Sequence, residues 1–163
     1  VGSEGPAASG TRPKGGTMNF HTIQTPAYQF AERFLQVREE IPKGHCATPI
    51  TGDELIESNA LCFGTIIDRP GLGIGFPTVA GGYLIDEYIG GLWSALPGAG
   101  SHTLRELIEW GGAELSCYGE GLRDYYQRHG FRETLSAPWD WDLAPAHWPI
   151  GCGTPNYYEM RLN

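Results

Sequence analysis

Apolar residues recur at helical spacing over some stretches of the chain and run together over others. Phe30, Phe34, Val37 and Ile41 fall on one face of a first helix. Thr25 is placed to cap it, Pro26 suits its first position, and Pro42-Lys43-Gly44 ends it. Thr51 and Glu54 have the spacing of a capping box for a second, short helix whose Leu55 and Ile56 face inward. Apolar, β-prone runs follow over 60–67, 72–79 and 83–89. Asp68-Arg69-Pro70-Gly71 marks a turn between the first two, and Pro77 pushes the second towards an edge or a bend. A helix over 101–110 has Leu104, Leu107 and Ile108 on its buried face and stops at Gly111-Gly112; a short strand covers 113–118. Leu122, Tyr125, Tyr126 and His129 form one stripe of a helix over 121–129 that stops at Gly130. Strands over 131–136 and 156–162 then flank a long loop, 137–155. This order of elements predicts a mixed α/β domain.

Composition narrows the picture. A chain of 163 residues, 40% hydrophobic and 18% charged, suits one globular domain with a sizeable core. Residues 1–17 are small, polar and rich in Gly and Pro. They read as a flexible tail or a remnant of processing or cloning, with Met18 as the candidate natural start and 18–163 as the single domain. The formal net charge of −8 argues against a nucleic-acid partner, which would call for a basic face. No apolar run approaches the roughly 18 residues that a membrane span needs, so no membrane partner is expected.

No two of Cys46, Cys62, Cys117 and Cys152 form a CxxC pair. They read as reduced thiols of a reducing compartment rather than as disulfides. His45, Cys46, His147 and Cys152 are the residues from which a zinc site could be drawn, but nothing in their spacing supports one, and no metal is expected.

The candidate chemistry centres on Leu96-Pro97-Gly98-Ala99-Gly100-Ser101-His102-Thr103-Leu104, a glycine-rich turn running into a helix. Gly98 and Gly100 remove side-chain bulk, and the N–H groups of Ser101, His102 and Thr103 point back at the turn. The helix dipole there favours an anion such as a pyrophosphate. The pattern is neither a P-loop nor a GxGxxG fingerprint, so a plain structural turn stands beside the phosphate reading.

A second motif, "YYQRHGF", sets Tyr126 four residues before Gly130, which Phe131 follows. With it the chain resembles the GNAT N-acetyltransferase superfamily, whose members run strand, glycine-rich pyrophosphate loop, helix, strand and a helix ending in Y-x-x-x-G-F. The resemblance looks closer still to a subgroup encoded by bacteriophages. Its patterns "LDCFDG", "FYxxxGF", "AP-x-x-W" and "G-x-PDVVFM" have counterparts here in "LSCYGEG" (115–121), "YYQRHGF" (125–131), "APAHW" (144–148) and "GTPNYYEM" (153–160). The likeness covers the C-terminal half of the chain. Two departures stand out. Ser116 and Gly119 replace the acidic residues of "LDCFDG", though Glu120 is adjacent, and Ala95 occupies the place where the pyrophosphate loop usually begins with Arg or Gln.

The resemblance implies a mostly antiparallel central sheet flanked by helices. It implies direct transfer of an acyl group from acetyl-CoA, bound as a substrate, to an amine of a small molecule or protein. Leu96, Gly98, Ala99, Gly100, Ser101 and His102 would bind the cofactor, with His102 alternatively a plain exposed residue. Tyr126 would protonate the departing thiolate, a role open to a phenol with an ordinary pKa of about 10; alternatively it is a core aromatic beside Leu122 and His129. Asp86 and Glu87, on the strand leading to the loop, are candidates for the base or are surface carboxylates. His129 fits helix packing or a dipole partner better than catalysis. The loop 137–155, with Trp139, Trp141 and Trp148, reads either as a cover for an acceptor pocket or a docking surface for a protein partner, or as a small satellite core. The alternative function is a catalytically inactive GNAT-like phage structural or interaction protein. The resemblance further implies a cytoplasmic protein, of the host cell if phage-encoded, or one carried in the virion.

Overall fold

A computed structural model describes residues 19–68 and 78–163. The tail 1–17, and the strand expected over 72–79 apart from its last two residues, lie outside the described residues. In chain order the elements are β1 (Asn19–Thr25), α1 (Ala27–Glu40), a 3₁₀ turn (Gly44–Cys46), α2 (Gly52–Glu57), β2 (Leu61–Asp68), β3 (Ala80–Ile85), β4 (Tyr88–Ser94) and α3 (Ala99–Glu109). They continue with β5 (Glu114–Tyr118), α4 (Glu120–Arg128), β6 (Phe131–Ala137), a second 3₁₀ turn (Ile150–Cys152) and β7 (Tyr157–Leu162). The strands form one sheet of order β1-β2-β3-β4-β5-β7-β6. Every neighbouring pair is antiparallel except β4–β5, which is parallel. This is the mixed, mostly antiparallel sheet flanked by helices that the resemblance implies.

The central strands are apolar on both faces because both are covered. Cys62 and Phe63 are neighbours in β2, and alternation sends them to opposite cores. Cys62 joins Phe30, Phe34 and Val37 of α1, Leu55 of α2 and Trp93 of β4. Phe63 joins Leu104 and Leu107 of α3, Tyr126 of α4 and Leu115, Cys117, Tyr158 and Met160 of the sheet. Helices α1 and α2 therefore lie on one face, and α3 and α4 on the other.

Local signals hold where their chemistry is local. Glu54 N–H donates to Thr51 Oγ1 at 3.1 Å and Thr51 N–H to Glu54 Oε1 at 2.9 Å, closing the capping box of α2. Elsewhere tertiary contacts overrule them. Thr25 does not cap α1; it ends β1, an edge strand paired along its length with β2, and Pro26 takes the cap position. Ile56 does not face inward but is 53% exposed, because a helix this short has only one row to bury and Leu55 takes it. Leu122, expected in the α4 stripe, is likewise exposed. The run 83–89 is a hairpin and not one strand: β3 and β4 pair across a turn at Asp86 and Glu87, with Asp86 at φ +53°. The expected thiol state of all four cysteines is also corrected. Cys46 and Cys152 are disulfide-bonded across 106 residues of chain, while Cys62 and Cys117 are free and buried. No described helix is long and apolar enough to cross a membrane.

Candidate active site

Strands β4 and β5 share one register pair, Tyr88 with Glu114, at their amino ends. The N–H groups of Ala113 and Glu114 both donate to Glu87 O, at 2.9 and 3.0 Å, which pins that end. Beyond it the described strands form no further pair, so they open as a V towards Ser94 and Tyr118. At about 3.3 Å per residue, the unpaired edge of β4 is about 20 Å long. Polar backbone atoms along such an edge are free for a ligand. The register with β3 shifts between Gly81 and Tyr83, placing an extra residue at Gly91–Leu92 of β4, with Gly91 at φ +58°. A bulge of this kind re-aims backbone groups beside the V.

The glycine-rich turn sits at the open end of the V, where β4 hands over to α3. Crevices at the carboxyl ends of parallel strands are the usual ligand sites of α/β sheets. Gly98, at φ +87°, is the cap of α3. Ser94 shapes the turn: its Oγ donates to Leu96 O at 2.7 Å and accepts from Gly100 N–H at 3.1 Å. Ala99 N–H donates to Leu96 O and His102 N–H to Gly98 O. Among the described residues the N–H groups of Gly98 and Ser101 have no partner, and both lie at the positive end of the α3 dipole.

A short chain of hydrogen bonds backs this turn. His129 Nδ1 lies 2.9 Å from the carbonyl oxygen of Tyr125, which can only accept, so a neutral ring carries its proton on Nδ1. Nε2 then accepts from Ser101 Oγ at 3.1 Å, and Ser101 Oγ accepts from the Tyr125 hydroxyl at 2.9 Å. His129 thus ties the end of α4 to the first turn of α3, in keeping with a packing role. The Ser101 side chain is committed to this chain and its N–H is left over.

Tyr126, next to Tyr125, is buried against Phe131, Cys117 and Leu115. Its ring meets Tyr125 edge-on at 5.3 Å and Phe131 at 6.1 Å between centroids. Burial pushes the group well above the ordinary phenol range, so it keeps its proton throughout the neutral range. Its hydroxyl forms no hydrogen bond with another described residue.

Other expected site residues stand elsewhere. Asp86 and Glu87 are not on the strand leading into the turn; they occupy the β3–β4 hairpin, at the closed end of the V. Glu87 Oε1 there accepts from Arg161 Nη2 at 2.9 Å, and Glu114 from Arg161 Nη1 at 2.7 Å. His102 is turned away from the glycine loop. Its Nδ1 lies 2.8 Å from Thr22 Oγ1, which bonds Thr65 at 2.6 Å; Thr65 bonds Thr103, which donates to Ala99 O at 3.0 Å. Thr65 and Thr103 are fully buried and satisfied by this network, which fixes the start of α3 on β1 and β2. Burial, with Arg105 next, holds the His102 imidazole below its ordinary range.

On the α1–α2 face, the carboxyl end of β5 meets the loop between β6 and β7. Tyr118 lies 5.5 Å from Trp139, 5.1 Å from Trp148 and 5.4 Å from Tyr157, and Trp139 lies 5.1 Å from Trp141. Trp139 and Trp148 belong to this aromatic cluster, while Trp141 is mostly exposed. Further along β5, Ser116 Oγ bonds the Tyr88 hydroxyl at 2.9 Å, bridging the narrow part of the V. Glu120 starts α4, where Tyr158 first and Asn156 also bind its carboxylate and hold it below the ordinary range. Sequence reasoning missed Ser94, Tyr88, Ser116 and Tyr125. Tyr125 and Ser116 carried a signal, as members of "YYQRHGF" and "LSCYGEG"; Ser94 and Tyr88 carried none.

No family model matches the chain, and no curated protein does. Solved structures do. An acyl-CoA N-acyltransferase from Pseudomonas aeruginosa superposes with a TM-score of 0.54 at 18% identity, over 89% of this chain and 99% of that one. An IAA acetyltransferase from Bacillus cereus superposes with a TM-score of 0.51 at 14% identity, over 88% of this chain and 99% of that one. The shared feature is the fold, that of the GNAT acetyltransferases, and it extends over nearly the whole of those structures.

Proposed function

We propose that this chain is an acyl-CoA-dependent N-acyltransferase. The single observation that carries the reading is the V between β4 and β5 with an anion-ready helix start at its open end. In this reading the pantetheine arm lies along the free edge of β4. The N–H groups of Gly98 and Ser101 hold the pyrophosphate, Gly100 lets Ser94 and Tyr125 pack close beneath the turn, and Leu96 and Ala99 border it. Backbone groups do the work that an Arg or Gln at position 95 would share, since helix-start N–H groups bind phosphate without a cation. Acetyl-CoA is the expected donor.

The amine nitrogen attacks the thioester carbonyl carbon and gives up one proton to solvent, the carbon–sulfur bond breaks, and the leaving sulfur takes a proton from an acid that solvent then reprotonates. Tyr126 is the group we assign to that proton: it stays protonated, belongs to the core cluster of Leu115 and Cys117 on β5, and has an uncommitted hydroxyl. Asp86 and Glu87, at the closed end, receive no role in this chemistry. Glu120 is already bound by Tyr158 and Asn156, and no base is assigned. The amine would approach from the α1–α2 face, past Ser116, Tyr118 and the aromatic loop, and the net charge of −8 favours a cationic acceptor at long range.

A second reading is a non-catalytic GNAT-fold scaffold of the phage type, docking a protein partner through the loop 137–155. It rests on Ala95 and on the largely exposed Trp141, Leu143 and Ile150 of that loop. Release of free thiol from acetyl-CoA, followed across a panel of small amines and lysine peptides, separates the two. Amine-dependent release supports the enzyme; binding without release on any acceptor favours the scaffold.

A further inference from the structure

His45, Cys46 and Cys152 each place one ligand-type atom within 4.8 Å of the others. They come from distant parts of the chain: His45 and Cys46 from the 3₁₀ turn after α1, Cys152 from the 3₁₀ turn in the β6–β7 loop. The two cysteines are disulfide-bonded, with Cα atoms 6.0 Å apart. The same junction has polar supports of its own. Arg38 Nε donates to Ala47 O at 2.9 Å and Arg38 Nη2 to His45 O at 3.2 Å. From the loop side, His147 Nε2 donates to Cys46 O at 3.1 Å. Opening the disulfide therefore leaves two thiols and an imidazole facing one another on a junction that other contacts still hold.

We propose that His45, Cys46 and Cys152, in the dithiol form, constitute a binding site for a thiophilic divalent cation, Zn²⁺. The disulfide and the metal are then two exclusive ways of pinning the aromatic loop to the end of α1. A dithiol reductant delivers two electrons and two protons to the sulfur–sulfur bond and becomes a disulfide itself. Zn²⁺ then displaces the two thiol protons and forms two zinc–sulfur bonds and one zinc–nitrogen bond, with water in the fourth position. Zinc–sulfur bonds of about 2.3 Å and zinc–nitrogen bonds of about 2.0 Å set tetrahedral ligand atoms about 3.5–3.8 Å apart, inside the 4.8 Å that these atoms already span. His45 is exposed and the cysteines are half-buried, so the site is open to solvent. Cys62 and Cys117 are poor competitors: they lie buried in the two cores, where burial pushes both thiols up to about 11.

The test is Co²⁺ and Zn²⁺ titration of the full chain after anaerobic reduction and removal of the reductant. One equivalent of Co²⁺ is expected, with thiolate-to-metal charge transfer and the strong visible bands of a tetrahedral site, displaced by Zn²⁺. The oxidised protein should show neither. Cys152→Ser should abolish the charge transfer and weaken binding by about 100-fold or more, and His45→Gln, at an exposed position that does not threaten folding, by about tenfold or more. Circular dichroism of each reduced variant separates lost ligation from lost fold. Absence of Co²⁺ uptake by the folded, reduced protein overturns the proposal, as does an unchanged spectrum in Cys152→Ser or unchanged affinity in His45→Gln.

Discussion

Tyr88 and Glu114 hold β4 and β5 together at one end of the sheet, and no register pair among the described residues joins the strands beyond them. The hydrogen bonds that would have continued the ladder are left unmade along both strands. The facing edges of the two strands are therefore unpaired over most of their length, and Tyr126 belongs to the core cluster of Leu115 and Cys117 on β5. Among the described residues, that unpaired stretch of β4 ends at a helix start whose Gly98 and Ser101 N–H groups have no partner.

Tyr126→Phe isolates the role of one hydroxyl. Because that hydroxyl has no described partner, its removal should leave the melting temperature essentially unchanged and acetyl-CoA affinity close to that of the unaltered protein. Turnover should fall by about 100-fold or more if Tyr126 supplies the proton. Single-turnover kinetics on the variant check this, and equal turnover removes Tyr126 from the mechanism.

His102 makes stability depend on mild acid. Its folded-state pKa is depressed, chiefly by burial and then by Arg105; His21 acts in the same sense, and Glu106 and Glu109 oppose them. The unfolded chain therefore binds this proton more readily than the folded one. The contribution is fully present above the unfolded value of about 6.5 and is lost as pH falls below it towards the folded value. Thermal melts from neutral to mildly acidic pH should show a decline that is shallower in His102→Gln. Parallel declines in the two proteins would mean that other groups set the acid limit.

The Cys46–Cys152 bond closes a loop of 106 residues and joins the β6–β7 loop to the end of α1. Thiol titration of the denatured, unreduced protein should find two free thiols, rising to four on reduction. In metal-free buffer, reduction should cost about 2–4 kcal/mol and lower the melting temperature by roughly 4–16 °C. Four thiols before reduction would contradict the pairing.

What the sequence could reveal follows from range. The capping box at Thr51 and Glu54, the buried faces of α1 and α3, and the glycine turn ahead of α3 rest on residues a few positions apart, and each is where the pattern puts it. The hairpin at Asp86 and Glu87 was hidden because "YLIDEYI" is apolar and β-prone on both sides of a polar pair, and Asp86 accepts a left-handed conformation without a glycine to announce it. Asp86 and Glu87, expected on the strand leading to the loop, consequently stand in the hairpin at the closed end of the V. His102 was read as part of a phosphate loop, yet its ring serves Thr22, a residue of a strand that the pattern did not show. The Cys46–Cys152 pairing has no local signature at all, since topology alone brings those residues together.

In the proposed enzyme the V between β4 and β5 takes an acyl-CoA with its pyrophosphate at Gly98 and Ser101. Isothermal titration of the full chain with acetyl-CoA, alongside Gly100→Glu, tests it most directly. A side chain at Gly100 would begin 3.0 Å from Ser94 Cβ, and a glutamate there brings negative charge to the helix start. Micromolar binding by the unaltered chain, lost or strongly weakened in a folded Gly100→Glu variant, is the expected result. No detectable heat with acetyl-CoA, or equal affinity in the two proteins, would contradict it.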